Sequence, residues 1–159
     1  MFIKKNNKME LKLKNVKFSE KLSEETNAFS ADLFIGTKKI AYVSNYGKGG
    51  DTDYHAYDGC KDILKGAEEY AKSLPDNLEN MIDDMFNDWL EAKEQKRILN
   101  NQKKGIIYSD KNGLVSLISW KGQTVDSLLK IPKNKEMIKN KVKSLEDQGF
   151  IILNTNLEI

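Results

Sequence analysis

The stretch Phe29-Ser30-Ala31-Asp32-Leu33-Phe34-Ile35-Gly36-Thr37-Lys38-Lys39-Ile40-Ala41-Tyr42-Val43-Ser44 decides the fold. Phe29, Ala31, Leu33 and Ile35 alternate with Ser30, Asp32 and Phe34, the period of two expected of a strand with one buried face. Gly36-Thr37-Lys38 reads as a turn, and Ile40, Tyr42 and Ser44 continue the period beyond it, so the stretch predicts a hairpin. The same phase turns Phe34 outward, as an apolar spot on the open side of a sheet.

Upstream, Leu11 and Leu13 alternate with Glu10, Lys12 and Lys14, after which Val16 and Phe18 fall out of phase. One extra residue near Asn15 restores them to the buried face, which predicts a β-bulge there. Residues 1–9 read as a flexible N-terminal extension. Downstream of the hairpin, Asp58 is placed to cap a helix whose apolar positions Cys60, Ile63, Leu64, Ala67, Ala71 and Leu74 recur at spacings of three and four, ending at Pro75. Asp76-Asn77-Leu78-Glu79 fits a capping box, with the Asp76 oxygen accepting from the first turn and Glu79 reaching back. The helix it opens carries the stripe Leu78, Met81, Ile82, Met85, Phe86, Trp89 and Leu90. Gly105 ends that helix, and Asn112-Gly113 between two apolar runs signals a second hairpin. Thr124 caps a short turn, a last helix follows from Asn134 to Gly149, and Phe150 to Leu153 reads as a closing strand. Strands grouped with strands and helices with helices predict a single α+β domain over 10–159. Its sheet should be mostly antiparallel, of about six strands, with three main helices packed on one face.

The chain has 159 residues, 39% hydrophobic and 31% charged, in the range of one ordinary globular domain with no bilayer-spanning run. The N-terminus carries positive charge without an apolar run behind it, so a secretory signal is not expected and the cytoplasm is, the host cell's if the gene is phage-borne. Cys60 is the only cysteine, which excludes an internal disulfide and a metal site built on several thiolates. The net charge of +2 is too small for strong nonspecific attraction to nucleic acid. Arg97 is the only arginine, so sequence-specific reading of base edges is disfavoured.

Chemistry-bearing residues crowd into Ser44 to Gly59. A Walker loop fails because Lys48 is followed by Gly49 and no hydroxyl, and the dinucleotide fingerprint fails because Thr52 stands where the third glycine belongs. A nest of amides over Gly47 to Gly50 with Lys48 nearby remains an alternative anion or nucleotide site. Asp51, Asp53, His55, Asp58 and Asp62 imitate a calcium loop, but Ala56 sits where an EF-hand needs glycine. A looser divalent site from Asp51, Asp53 and His55, serving a metal-dependent hydrolase, is the alternative from another class. No nucleophile elbow is present, and no catalytic residue, cofactor or metal is assigned. Tyr46, Tyr54 and Tyr57 among glycines and charges have the composition of binding loops, large rigid contact area on an adaptable frame. The expected binding residues are therefore Tyr46, Lys48, Gly49, Gly50, Asp51, Asp53, Tyr54, His55 and Tyr57, with Tyr46 split between contact and core by its strand phase. Lys135, Lys139 and Lys143 form a basic stripe on the last helix, a secondary surface whose plainer reading is a solvated face.

The run from Ser23 through Leu33 to Asn45-Tyr46-Gly47-Lys48-Gly49-Gly50, with Trp120-Lys121-Gly122 and Ile152-Leu153-Asn154-Thr155-Asn156-Leu157, resembles small uncharacterised proteins encoded by bacteriophages and mobile elements. The resemblance spans most of the chain and implies a setting rather than a reaction. Small phage accessory proteins often bind and block host immune machinery, so it implies a non-enzymatic, anti-CRISPR-like inhibitor of a host defence component. A host protein is the expected partner, a nucleotide the alternative ligand, and nucleic acid is disfavoured.

Overall fold

At Asn15 the first strand gains a residue over its neighbour and the backbone turns left-handed, with φ +54°. The structure, a computed structural model, describes residues 9–159, so the expected extension over 1–9 lies outside the described residues except for Met9. β1 (Leu11–Phe18) pairs antiparallel with β2 (Ala28–Ile35), and its register shifts between Lys14 and Lys17, the expected bulge. β3 (Lys38–Tyr46) pairs with β2, and β4 (Asp53–Ala56) pairs with β3, giving the order β1-β2-β3-β4. β4 lies inside the stretch read from sequence as a loop.

β3 departs from its expected phase. Leu33 pairs with Ala41 but Phe34 with Lys39, so Ile40 is an extra residue on β3. Beyond that bulge Ala41, Val43 and Asn45 face the core while Tyr42 is 42% exposed on the other side. The inward placement of Tyr42 is thus corrected by one irregularity of register, since each residue of slip exchanges the faces. Phe34 does lie on the outer face, half-buried beneath the Lys14 ammonium at 4.6 Å from its ring centroid.

α1 (Lys61–Ser73) follows, burying Leu64, Ala67 and Ala71. Cys60 is its cap residue and makes no side-chain cap, and Asp58 stands too far upstream to serve. α2 (Leu78–Asn101) buries Leu78, Ile82 and Phe86, and the Phe86 ring stacks on Phe29 of β2 with centroids 3.9 Å apart. Its cap also differs from expectation: Asn77 Oδ1 accepts from the Asn80 amide at 2.7 Å, leaving Glu79 free for another task.

The chain divides into two compact units, one up to Trp89 and one from Leu90. The second holds a separate sheet, β6-β5-β7, from β5 (Gly105–Ser109), β6 (Val115–Ser119) and β7 (Ile151–Ile152). The short α3 (Val125–Leu129) and the longer α4 (Pro132–Asp147) complete it, with Leu128, Ile138, Val142 and Leu145 packed around Ile106. Asn154 supplies what so short a β7 cannot: its Oδ1 accepts from the Ile107 amide at 2.6 Å and its Nδ2 donates to the Gly105 carbonyl at 3.0 Å. Among the described residues the fold is α+β with seven strands and three main helices, as expected in class, but its strands form antiparallel sheets of four and three instead of one of about six. The helices accordingly do not share one sheet face: α4 packs within the second unit. No helix among the described residues is long and apolar enough to cross a membrane.

The bulge at Asn15 has an electrostatic use. Its Nδ2 donates to the buried Asp32 carboxylate at 2.7 Å, Tyr57 donates to the other oxygen, and Lys39 Nζ lies 3.0 Å away. Burial pushes the Asp32 carboxyl up, but the bonds from Asn15, Tyr57 and Lys39 outweigh it and hold the group below the ordinary aspartate range. A depressed folded value means stability present at neutral pH and lost as pH falls below about 4 and through the folded value. Urea unfolding from pH 6 down to pH 2.5 should show Asp32→Asn less stable than wild type at the top of that range, with the gap closing at the bottom.

Candidate functional site

Asn45 ends the inward row of β3 with a carboxamide where a hydrophobe would be expected. It is 8% exposed and uses both ends of the group. Oδ1 accepts from the Gly47 amide and the Thr26 hydroxyl, each at 2.9 Å, while Nδ2 donates to the Gly50 carbonyl and Thr52 Oγ1, each at 3.1 Å. The loop from Tyr46 to Thr52 is closed over this one side chain. Thr52 continues the network into α2: its hydroxyl donates to Asp83 Oδ1 at 2.6 Å and its amide to Glu79 Oε1 at 3.0 Å. Glu79, expected to cap its own helix, instead ties that helix to the loop.

Gly47 is buried and left-handed, with φ +80°. Its carbonyl accepts from the amides of Glu24 and Glu25 at 2.8 and 3.1 Å, and a Cβ there would collide with the Leu22 carbonyl and Ala28. The glycine is required by close approach and not by an anion. Two of the four amides of the nest read from sequence are engaged within the chain: that of Gly47 donates to Asn45 and that of Gly49 to the Thr26 hydroxyl at 3.3 Å. Carboxylates surround the same loop, with Glu25 beside Gly49 and Asp51, Glu79 and Asp83 lining a cavity of about 360 Å³. Asn27, Asn45 and Asn87 share its walls, and its electrostatics oppose a phosphate.

The nine expected binding residues therefore separate. Lys48, Gly49, Gly50 and Asp51 stand exposed at the tip, and Tyr46 is 74% exposed, so its ring is not core. Asp53 and His55 are exposed on the outer face of β4. Tyr54 points the other way, opposite Val43, with its phenol beside the Glu68 carboxylate of α1. Burial and then the Glu68 carboxylate push that phenol up. Tyr57 is held in the Asp32 cluster with the Lys39 ammonium 4.5 Å from its ring centroid. Two of the three loop tyrosines are thus part of the scaffold. Asp51, Asp53 and His55 do not converge, and no group of three acidic, histidine or cysteine side chains that could hold a metal ion occurs among the described residues. In the second unit Lys135, Lys139 and Lys143 are exposed along α4.

Sequence reasoning missed Asn45, Thr52, Glu79 and Asp83. A local signal existed for the first: asparagine two residues ahead of a glycine is the spacing of an Asx turn, and the Gly47 amide bond closes one. Nothing local announced that Thr52 would reach residues some thirty positions on.

Asn45→Ala strands the Gly47 amide, the Thr26 hydroxyl and the Gly50 carbonyl together, and should lower unfolding stability by about 2–4 kcal/mol in urea titration. Lys48→Ala, at the exposed tip, should leave the urea midpoint unchanged.

Comparison of the chain with family models, with curated proteins and with solved structures finds no match, so its functional reading rests on this geometry.

Proposed function

We propose that the protein is a non-enzymatic binding protein, a phage-type inhibitor that engages a host defence component through the 44–59 segment. The supporting observation is that the tip of this segment is exposed and yet already ordered. Tyr46, Lys48, Gly49, Gly50 and Asp51 face solvent, while the backbone beneath them is tied by Asn45, Thr26 and Thr52. A contact loop fixed before its partner arrives loses less conformational entropy on association. Tyr46 offers a large rigid ring as anchor, and Lys48 and Asp51 set orientation by charge.

The acidic lining beside the tip, from Asp51, Glu79 and Asp83, favours a basic patch on the partner. The phage setting comes from the sequence resemblance, and the contact surface from the loop geometry. Tyr54 and Tyr57 support that surface from within.

Expression in a bacterium carrying an active defence system should restore plating of a targeted phage, and affinity capture should retain one component of that system. Lys48→Ala combined with Asp51→Ala should weaken capture by about tenfold with an unchanged melting temperature. Wild-type capture by that double variant would place the contact elsewhere.

A further inference from the structure

The second unit leaves one strand edge open. A sheet edge is a row of amides and carbonyls without a neighbour, and proteins protect such rows with charge, bulges or brevity. β1 carries Lys12, Lys14 and Lys17 and a bulge, β4 has four residues with Asp53 and His55 exposed, and β7 has only two residues. β6, at the edge of its sheet, is Val115-Ser116-Leu117-Ile118-Ser119, with no charge, no proline and an unbroken register against β5.

The bonds of β5 identify which groups of β6 are free. The Ile107 amide donates to Asn154 and its carbonyl accepts from Leu153, both on the β7 side, and the Gly105 carbonyl likewise accepts from Asn154. These two residues therefore bond away from β6, and in an antiparallel ladder such pairs alternate with bonded ones. Leu117 stands opposite Ile107, Ser119 opposite Gly105, and Val115 follows the alternation, so the amides and carbonyls of all three point outward from the sheet edge. No loop or side-chain group among the described residues hydrogen-bonds them.

Beside this edge a groove of about 390 Å³ opens between β6 and α4. Ile118, Trp120 and Met137 give it apolar walls, Asn140 and Ser144 add polar groups, and Lys141 is its one charged lining residue. Lys133 and Lys141 stand one turn either side of Met137, exposed and with no ion-pair partner among the described residues. Glu136 and Asp147 also lie on α4, but neither lines the groove.

We infer that β6 is a docking edge: an extended segment of a partner protein adds to it as a fourth strand of the sheet. Its apolar side chains seat against Ile118, Trp120 and Met137, and an acidic side chain meets Lys141. The free main-chain groups select an extended strand, because only a strand presents amides and carbonyls at the spacing of alternate residues. Charge selects a partner over a second copy. Pairing β6 with itself would bring two lysine-flanked grooves together, in a unit where thirteen Lys and Arg outnumber eight Asp and Glu. The inference uses no residue of the 44–59 contact, so either can fail without the other.

Selection of displayed random peptides of about twelve residues on the full chain should enrich sequences with alternating apolar residues and at least one Asp or Glu. With a synthetic copy of an enriched peptide, amide exchange read by NMR should slow at least about tenfold at Val115, Leu117 and Ser119. Ser116 and Ile118, already bonded to β5, should change little. Leu117→Pro removes an outward amide and spares the ladder, and should weaken binding about tenfold; Leu117→Thr keeps the amide and should cost about twofold or less. Lys141→Glu should weaken the acidic peptide and spare its copy with the acid changed to the amide. The exchange pattern is read on the wild-type chain, so it decides the matter even if Leu117→Pro fails to fold. No enrichment, enrichment of basic sequences, unprotected outward amides in the complex, or wild-type affinity in a folded Leu117→Pro would each overturn the inference. Concentration-dependent protection of the same three amides without peptide would assign the edge to a second copy and overturn it too.

Discussion

The first unit depends on one carboxamide. Asn45 sits at the end of an inward row of hydrophobes, and burying an amide there is tolerable only because all its hydrogen-bonding directions used here have partners. Those partners are Thr26 in the turn before β2 and Gly47, Gly50 and Thr52 in the loop between β3 and β4, so one side chain fixes that loop and ties it to a segment 19 residues away. Thr52 then hands the network to Glu79 and Asp83, which locks the register of α2 against the loop. Hydrophobic packing of Phe86 on Phe29 holds the helix to the sheet, but it leaves the loop undetermined. Directional bonds determine it.

A second polar cluster stabilises the opposite face by the same logic. Asp32 is buried among β-sheet neighbours and acceptable there because Asn15, Tyr57 and Lys39 surround its carboxylate. The bulge that delivers Asn15 and the cation above Tyr57 are parts of one arrangement, and it leaves the remaining lysines of that face available to solvent. The two faces consequently differ: carboxylates cluster around the loop cavity on one side, while Lys14, Lys17, Asp53 and the exposed ring of Tyr42 share the other.

Much of the fold could be read locally. The bulge at Asn15 followed from a break in a period of two, and both hairpins followed from turn residues between alternating or apolar runs. The site was less legible. Three tyrosines in a glycine-rich stretch read as one contact surface, yet Tyr54 turns to the inner face beside Glu68 of α1 and Tyr57 donates to Asp32 of β2. Glu79 matched a capping box by spacing and was claimed by Thr52, because a first-turn carboxylate can satisfy a loop amide as readily as its own cap.

By itself the sequence determined the α+β class, the antiparallel pairing of neighbouring strands, the bulge and the helical stripes, since each follows from backbone periodicity and turn chemistry within a few residues. Only the tertiary structure decided that Ile40 is an extra residue and Tyr42 therefore faces out, that β4 forms within the apparent loop, and that the strands divide into two sheets. These outcomes depend on which strand edge or polar side chain arrives from elsewhere in the chain. Local propensity does not encode that choice, and long-range hydrogen bonds, those of Asn45 and Thr52 above all, make it.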